Sequence, residues 1–174
     1  MGNRSGKRTG PRRGQLAAGL AFAVALSAGS GLQAQGLCAD DRVTVMGDWG
    51  QARFRVEVAD DRQEQARGLM QVESMPTMAG MLFVYPRPQS VSFWMENTLI
   101  PLDMIFAQED GTIAKVHAEA VPLDRTPIPG GSDDIKYVLE INGGLAEQLG
   151  IEAGDIMQHP SIGPDPVAPC PEPE

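Results

Sequence analysis

The chain has 174 residues, 14 of them basic and 23 acidic, for a formal net charge of −9. Spread along the chain, that excess repels phosphate backbones and anionic membrane surfaces, so nucleic acid is not an expected partner and the simplest role of the acidity is solubility. Two cysteines and two histidines do not make a zinc site of paired thiolates, and phosphate-loop, dinucleotide and nucleophile-elbow patterns are missing, so no cofactor is expected.

The first residues carry Arg4, Lys7, Arg8, Arg12 and Arg13 without an acid, followed by an apolar run from Leu16 to Ala28. This reads as a signal peptide over 1–34, cleaved near Ala34, and it is too short an apolar run for a stable membrane anchor. The expected location is periplasmic or secreted. Arg12-Arg13 leaves both the general secretory and the twin-arginine route open. Removal of the leader takes away five basic and no acidic residues, which leaves 140 residues at a net charge of −14. One domain of that length can bury its own core.

Cys38 and Cys170 lie near the two ends of the mature chain, and in an oxidising compartment they are expected to form a disulfide. Residues 35–50 form an N-terminal segment and the start of a hairpin. Strands are predicted over 42–46 and 51–58, around the turn Gly47-Asp48-Trp49-Gly50. Asp60 is the predicted N-cap, with Gln63 three residues on, of a short helix through Arg67 that ends at Gly68. Further strands are predicted over 80–85, 90–96, 102–108, 112–118 and 136–141, a second short helix over 144–149, and a last strand over 155–158. The expected fold is α+β: one compact domain over 51–158, mostly antiparallel and barrel-like, with two short helices. Residues 159–174 carry six prolines and read as an extended tail.

Several segments occur in a telling order: FRVEVADDRQEQARGLM, GMLFVY, SFWMENTLIPLDMIF, the DGTI turn, TPIP, YVLEING and LGIEAGD. In these the chain resembles the bacterial and archaeal family known as domain of unknown function 192, over most of 54–157. The resemblance implies a compact mixed domain, often secreted, with no activity to carry over. Glu96 departs from the lysine that relatives frequently carry there.

The block VSFWMENTLIPLDMIF holds the candidate site. Trp94 shares a strand face with Ser92 and Glu96, opposite Phe93 and Met95, and an aromatic on the polar side suggests a contact surface. With Asn97, Thr98 and Asp103 it would border a pocket, and Arg67 at the helix end could reach an anionic ligand. Asn97 and Thr98 also suit a turn, and Arg67 could instead pair with Glu64 or Asp60. A binding or accessory domain for an unknown small molecule or protein is therefore the preferred reading. An enzyme is the alternative, and it rests on the turn Glu109-Asp110-Gly111. A three-residue loop with Gly111 left-handed sets Asp103 opposite His117, where the carboxylate could orient the imidazole for acid–base work. That register is preferred because it gathers Leu102, Met104, Phe106, Ala114, Val116 and Ala118 on one face. The plainer role for Asp103 is to accept backbone hydrogen bonds from 97–100 at the kink before Pro101. A third reading uses the thioethers of Met75, Met78 and Met81 for Cu(I), against their ordinary use as core filler.

Overall fold

The computed structural model describes residues 38–171; the signal peptide expected over 1–34 lies outside them. In chain order the elements are β1 (Arg42–Gly47), β2 (Gly50–Ala59), α1 (Arg62–Arg67), β3 (Ala79–Gln89), β4 (Ser92–Phe93), β5 (Leu102–Gln108), β6 (Ile113–Ala120), β7 (Ile128–Pro129), β8 (Ile135–Asn142), α2 (Leu145–Leu149) and β9 (Ile156–Gln158). The fold is α+β, with two short helices and a mostly antiparallel sheet curled into a half-barrel. Seven strands form that sheet in the order β6-β5-β8-β3-β2-β1-β9, and β4 with β7 makes a separate pair.

Local chemistry accounts for most of these elements. The β1–β2 hairpin closes on Asp48-Trp49, with Gly47 paired to Gly50. Helix α1 starts one residue later than the spacing predicts, since Asp61 and not Asp60 is the N-cap: its Oδ1 accepts the N–H groups of Gln63 at 2.7 Å and Glu64 at 2.8 Å. Gly68 ends the helix at φ 47°. The predicted strand over 90–96 shrinks to Ser92–Phe93, because the chain turns sharply after Met95. There the Thr98 N–H donates to the Met95 carbonyl at 3.1 Å, and Asn97 takes φ 57°, a left-handed conformation that Asn tolerates.

Alternation along the strands sends side chains into two apolar layers, one on each face of the sheet. Val43, Val45, Phe54, Leu82, Ile105, Tyr137, Leu139 and Ile141 form one layer with Leu145 and Ala146 of α2. Leu69, Met81, Phe83, Met95, Met104, Phe106, Ile135 and Val138 form the other. The curl brings the far edges together: Thr112 bridges Ile156, the Ile113 N–H donates to the Asp155 carbonyl, and the Met157 N–H donates to the Gly111 carbonyl, both at 2.8 Å.

One pair breaks the antiparallel pattern. Strands β2 and β3 run parallel, with Val56 opposite Gly80 and Val58 opposite Leu82. A parallel pair cannot be joined by a tight turn, so residues 60–78, α1 included, must cross back over one sheet face. Cys38 and Cys170 form the expected disulfide, with Cα atoms 5.7 Å apart and a sequence separation of 132. It fastens the proline-rich tail to the start of the fold.

Candidate functional site

The turn between β5 and β6 has three residues: the Gln108 N–H donates to the Thr112 carbonyl at 2.9 Å, and Gly111 lies at φ 91°. The expected register nevertheless fails. Phe106 faces Lys115 while Ala107 faces Ile113, so Ala114 is an extra residue, a β-bulge that moves every later pair by one. His117 therefore sits opposite Met104, and Asp103 does not meet it. A second bulge sets both Ala118 and Glu119 against Asp103. Since Met104 and its partner share a face and Asp103 points the other way, Asp103 and His117 lie on opposite faces of the sheet. The apolar face expected from Ala114, Val116 and Ala118 is also not assembled: Lys115 and His117 take the positions beside Phe106 and Met104.

Asp103 is fully buried and has another task. Its Oδ1 accepts the N–H of Glu119 at 2.7 Å and of Gly144 at 2.8 Å, and its Oδ2 accepts the N–H of Ala146 at 2.7 Å. These donors replace the expected ones at 97–100. Glu119, at φ 51° within the bulge, turns its amide toward the carboxylate. Asp103 ties β5, the bulge and the head of α2 together.

The methionines also part company. Met75 and Met81 line a cleft of about 450 Å³ between β2, β3 and the crossing segment, whereas Met78 lies outside that lining and is 38% exposed. The second histidine, His159, is buried between the chain ends: its Nε2 lies 3.0 Å from the Asp40 carbonyl and its Nδ1 accepts the Ser161 N–H at 3.1 Å. With Nδ1 an acceptor, the ring proton sits on Nε2 and donates to Asp40. Among the described residues, no group of three or more His, Cys, Asp or Glu side chains could hold a metal.

What does converge is a second cleft of about 270 Å³, in which Arg67, Trp94 and Thr98 meet Phe83, Tyr85, Phe93 and Glu140. Asn97 is not in this lining. Its carbonyl accepts the Gln71 N–H at 2.9 Å, which fastens the turn to the crossing segment. Trp94 is 52% exposed while Met95 is buried, as the alternation predicts, and Thr98 is buried at the cleft. Glu96 pairs with Arg125 at 2.8 Å.

Glu140 is the residue that sequence reasoning missed. It stands in β8 between Met104 of β5 and Met81 of β3, in a row that runs His117, Met104, Glu140, Met81, Glu57 across the sheet. It is 4% exposed and has no hydrogen-bond or ion-pair partner among the described residues. Burial alone pushes its carboxyl up to about 8. Tyr85 is pushed up to about 12 by burial and then by Glu140. Gly68 opens the approach: a Cβ there would lie 3.2 Å from the Phe83 ring and 4.0 Å from Glu140 Oε2. The sequence IKYVLEIN carries little signal of this, since by alternation Glu140 shares its face with Lys136, Val138 and Asn142 and that side reads as solvent-facing.

The family model for domain of unknown function 192, described as an uncharacterized ACR, matches residues 43–159. The chain belongs to this family. Among curated proteins none matches. Solved structures similar to it include the following two. One is a protein of unknown function from Novosphingobium aromaticivorans DSM 12444, at 45% identity and a TM-score of 0.66, covering 67% of this chain and 83% of that one. The other, from Sinorhizobium meliloti 1021, is provisionally named a transcription regulator; it is 37% identical with a TM-score of 0.66, and the match covers 70% of this chain and 94% of that one.

Proposed function

We propose that this domain binds a small molecule in the cleft that Arg67, Trp94, Thr98 and Glu140 line. The observation that carries the reading is the Glu140 carboxyl: the residue is only 4% exposed, no protein group among the described residues bonds it, and it opens onto the cleft. Its oxygens keep contact with the solvent of the cleft, so a ligand entering there would meet an acid that none of the described residues has already satisfied. A carboxyl held far from its ordinary ionisation range by burial is also typical of functional sites. The cleft is small and mixes aromatic walls with a few polar groups, the composition of a small-molecule site.

The reading includes export. The basic-then-apolar leader and the Cys38–Cys170 disulfide both favour an oxidising compartment outside the cytoplasm. Cell fractionation with N-terminal sequencing of the mature protein tests this part, and a chain retaining residues 1–34 in the cytoplasm refutes it. Nucleic acid, suggested by the name of one relative, is opposed by the net charge of −9.

A thermal-shift screen of metabolites against the wild type and Glu140→Gln tests the binding site. A ligand should raise the melting temperature of the wild type and have little effect on the variant. Ligands that stabilise both equally would remove the cleft as the site.

A further inference from the structure

We infer that the cleft takes an organic cation, an alkylammonium headgroup seated against Glu140 and walled by Phe83, Tyr85, Phe93 and Trp94. This rests on the binding-site reading above and names the class of ligand. Aromatic rings present a negative face, and a cation enclosed by several of them gains most where water is excluded. Phe83 and Phe93 already meet edge to face, with ring centroids 5.0 Å apart and planes at 87°. Trp94 stands half exposed at the same cleft, available to close over a bound group.

Glu140 supplies the charge. Of the ionisable groups in this lining it alone is almost fully buried, so an ion pair made there is weakened least by solvent and salt. Arg67, the cation of the cleft, is exposed and borders the larger cleft as well, so its field is screened. An anion would have only the exposed Arg67 as a positive partner in this lining. The other titratable groups facing Glu140 are Tyr85, which lines the cleft, and His117 and Glu57, each two strands away along the row. None offers Glu140 a close cationic partner.

A bound ammonium requires the carboxylate, so binding near neutral pH must expel the carboxyl proton. Affinity should therefore rise with pH, by up to about tenfold per unit, until Glu140 is ionised in the free protein.

The probes are n-butylammonium, n-butanol and n-butyrate, titrated into the disulfide-bonded mature protein while the indole N–H resonances are followed by NMR. Trp94 lines the cleft, and Trp49 serves as an internal control because its Nε1 is held by Asp155 at 2.7 Å. Butylammonium should move the Trp94 resonance saturably and leave that of Trp49 in place, at least tenfold more tightly than butyrate or butanol and more tightly at pH 8 than at pH 6. Glu140→Gln, nearly isosteric with the protonated acid, should fold and lose at least tenfold in butylammonium affinity. If that variant does not fold, the pH dependence of the wild type decides alone, and a flat or inverted profile overturns the proposal. Butyrate or butanol binding as tightly as butylammonium overturns the cation class and leaves the cleft as a binding site. No movement of Trp94 with any probe overturns the cation class as well, and the metabolite screen then judges the cleft separately.

Discussion

The Oδ2 of Asp103 accepts the N–H of Ala146 at 2.7 Å, and this joins the start of β5 to the head of α2. With Glu119 and Gly144 also donating, a fully buried carboxylate is satisfied by three backbone amides. Asp103→Ala should leave three backbone N–H groups without their acceptor and cost about 3 kcal/mol, since a donor left unsatisfied away from water is expensive. Urea denaturation measures that loss. The Trp94 response to a ligand should survive in the folded fraction, which separates a structural role from a binding one.

Glu140 makes stability depend on pH in an uncommon direction for an acid. Its folded value, about 8, lies above its ordinary 4.5, so the native state holds a proton that the unfolded chain releases. Its contribution is complete below about pH 4.5 and is lost as pH rises toward 8, with a slope of at most about 1.4 kcal/mol per unit. Glu140→Gln removes the term. The difference in unfolding free energy, variant minus wild type, should grow from pH 5 to pH 8, and a difference constant across that range would contradict the assignment.

His159 acts in the opposite sense. Burial lowers its pKa from the usual 6.5 despite the Asp40 carbonyl, which favours the charged form. Protonation would also put a hydrogen on Nδ1, against the Ser161 N–H that donates to it. The stability it contributes is present above pH 6.5 and falls away as pH drops through the lowered value. Replacement by Gln should flatten that acid limb. Hydrogen exchange at Ser161 between pH 5 and pH 7 reads the loss locally.

Opening the disulfide should destabilise the fold by about 2 to 5 kcal/mol, the range for native bridges, with the entropy model near its upper end for a loop this long. Denaturation of the oxidised protein and of a Cys38→Ser, Cys170→Ser variant measures it. Equal midpoints would mean that the bridge carries no weight.

Much of the architecture was readable because local chemistry decides it. The Gly47–Gly50 hairpin, the strand Leu102–Gln108 and the stops at Gly68 and Gly150 follow from turn residues and alternation. The register of β6 was not readable: bulges at Ala114 and at Ala118–Glu119 depend on what β5 and α2 need from that strand, and hydrophobic pattern alone preferred the regular ladder. Of the pocket expected from Trp94, Asn97, Thr98 and Asp103, Trp94 and Thr98 line one cleft together with Arg67, whereas Asn97 and Asp103 build structure beside it. Glu140 escaped notice because an acid in an alternating strand looks solvent-facing. Only the cover on both faces of β8 makes it internal.

The parallel pairing of β2 with β3 has a bearing on how such a domain can diversify. It obliges residues 60–78 to cross the sheet, and residues of that crossing line both clefts. Each cleft thereby has strand residues on one side and residues of the crossing on the other. Within the crossing, insertions, deletions or exchanges can reshape that side of each cleft without disturbing the pairing of any strand.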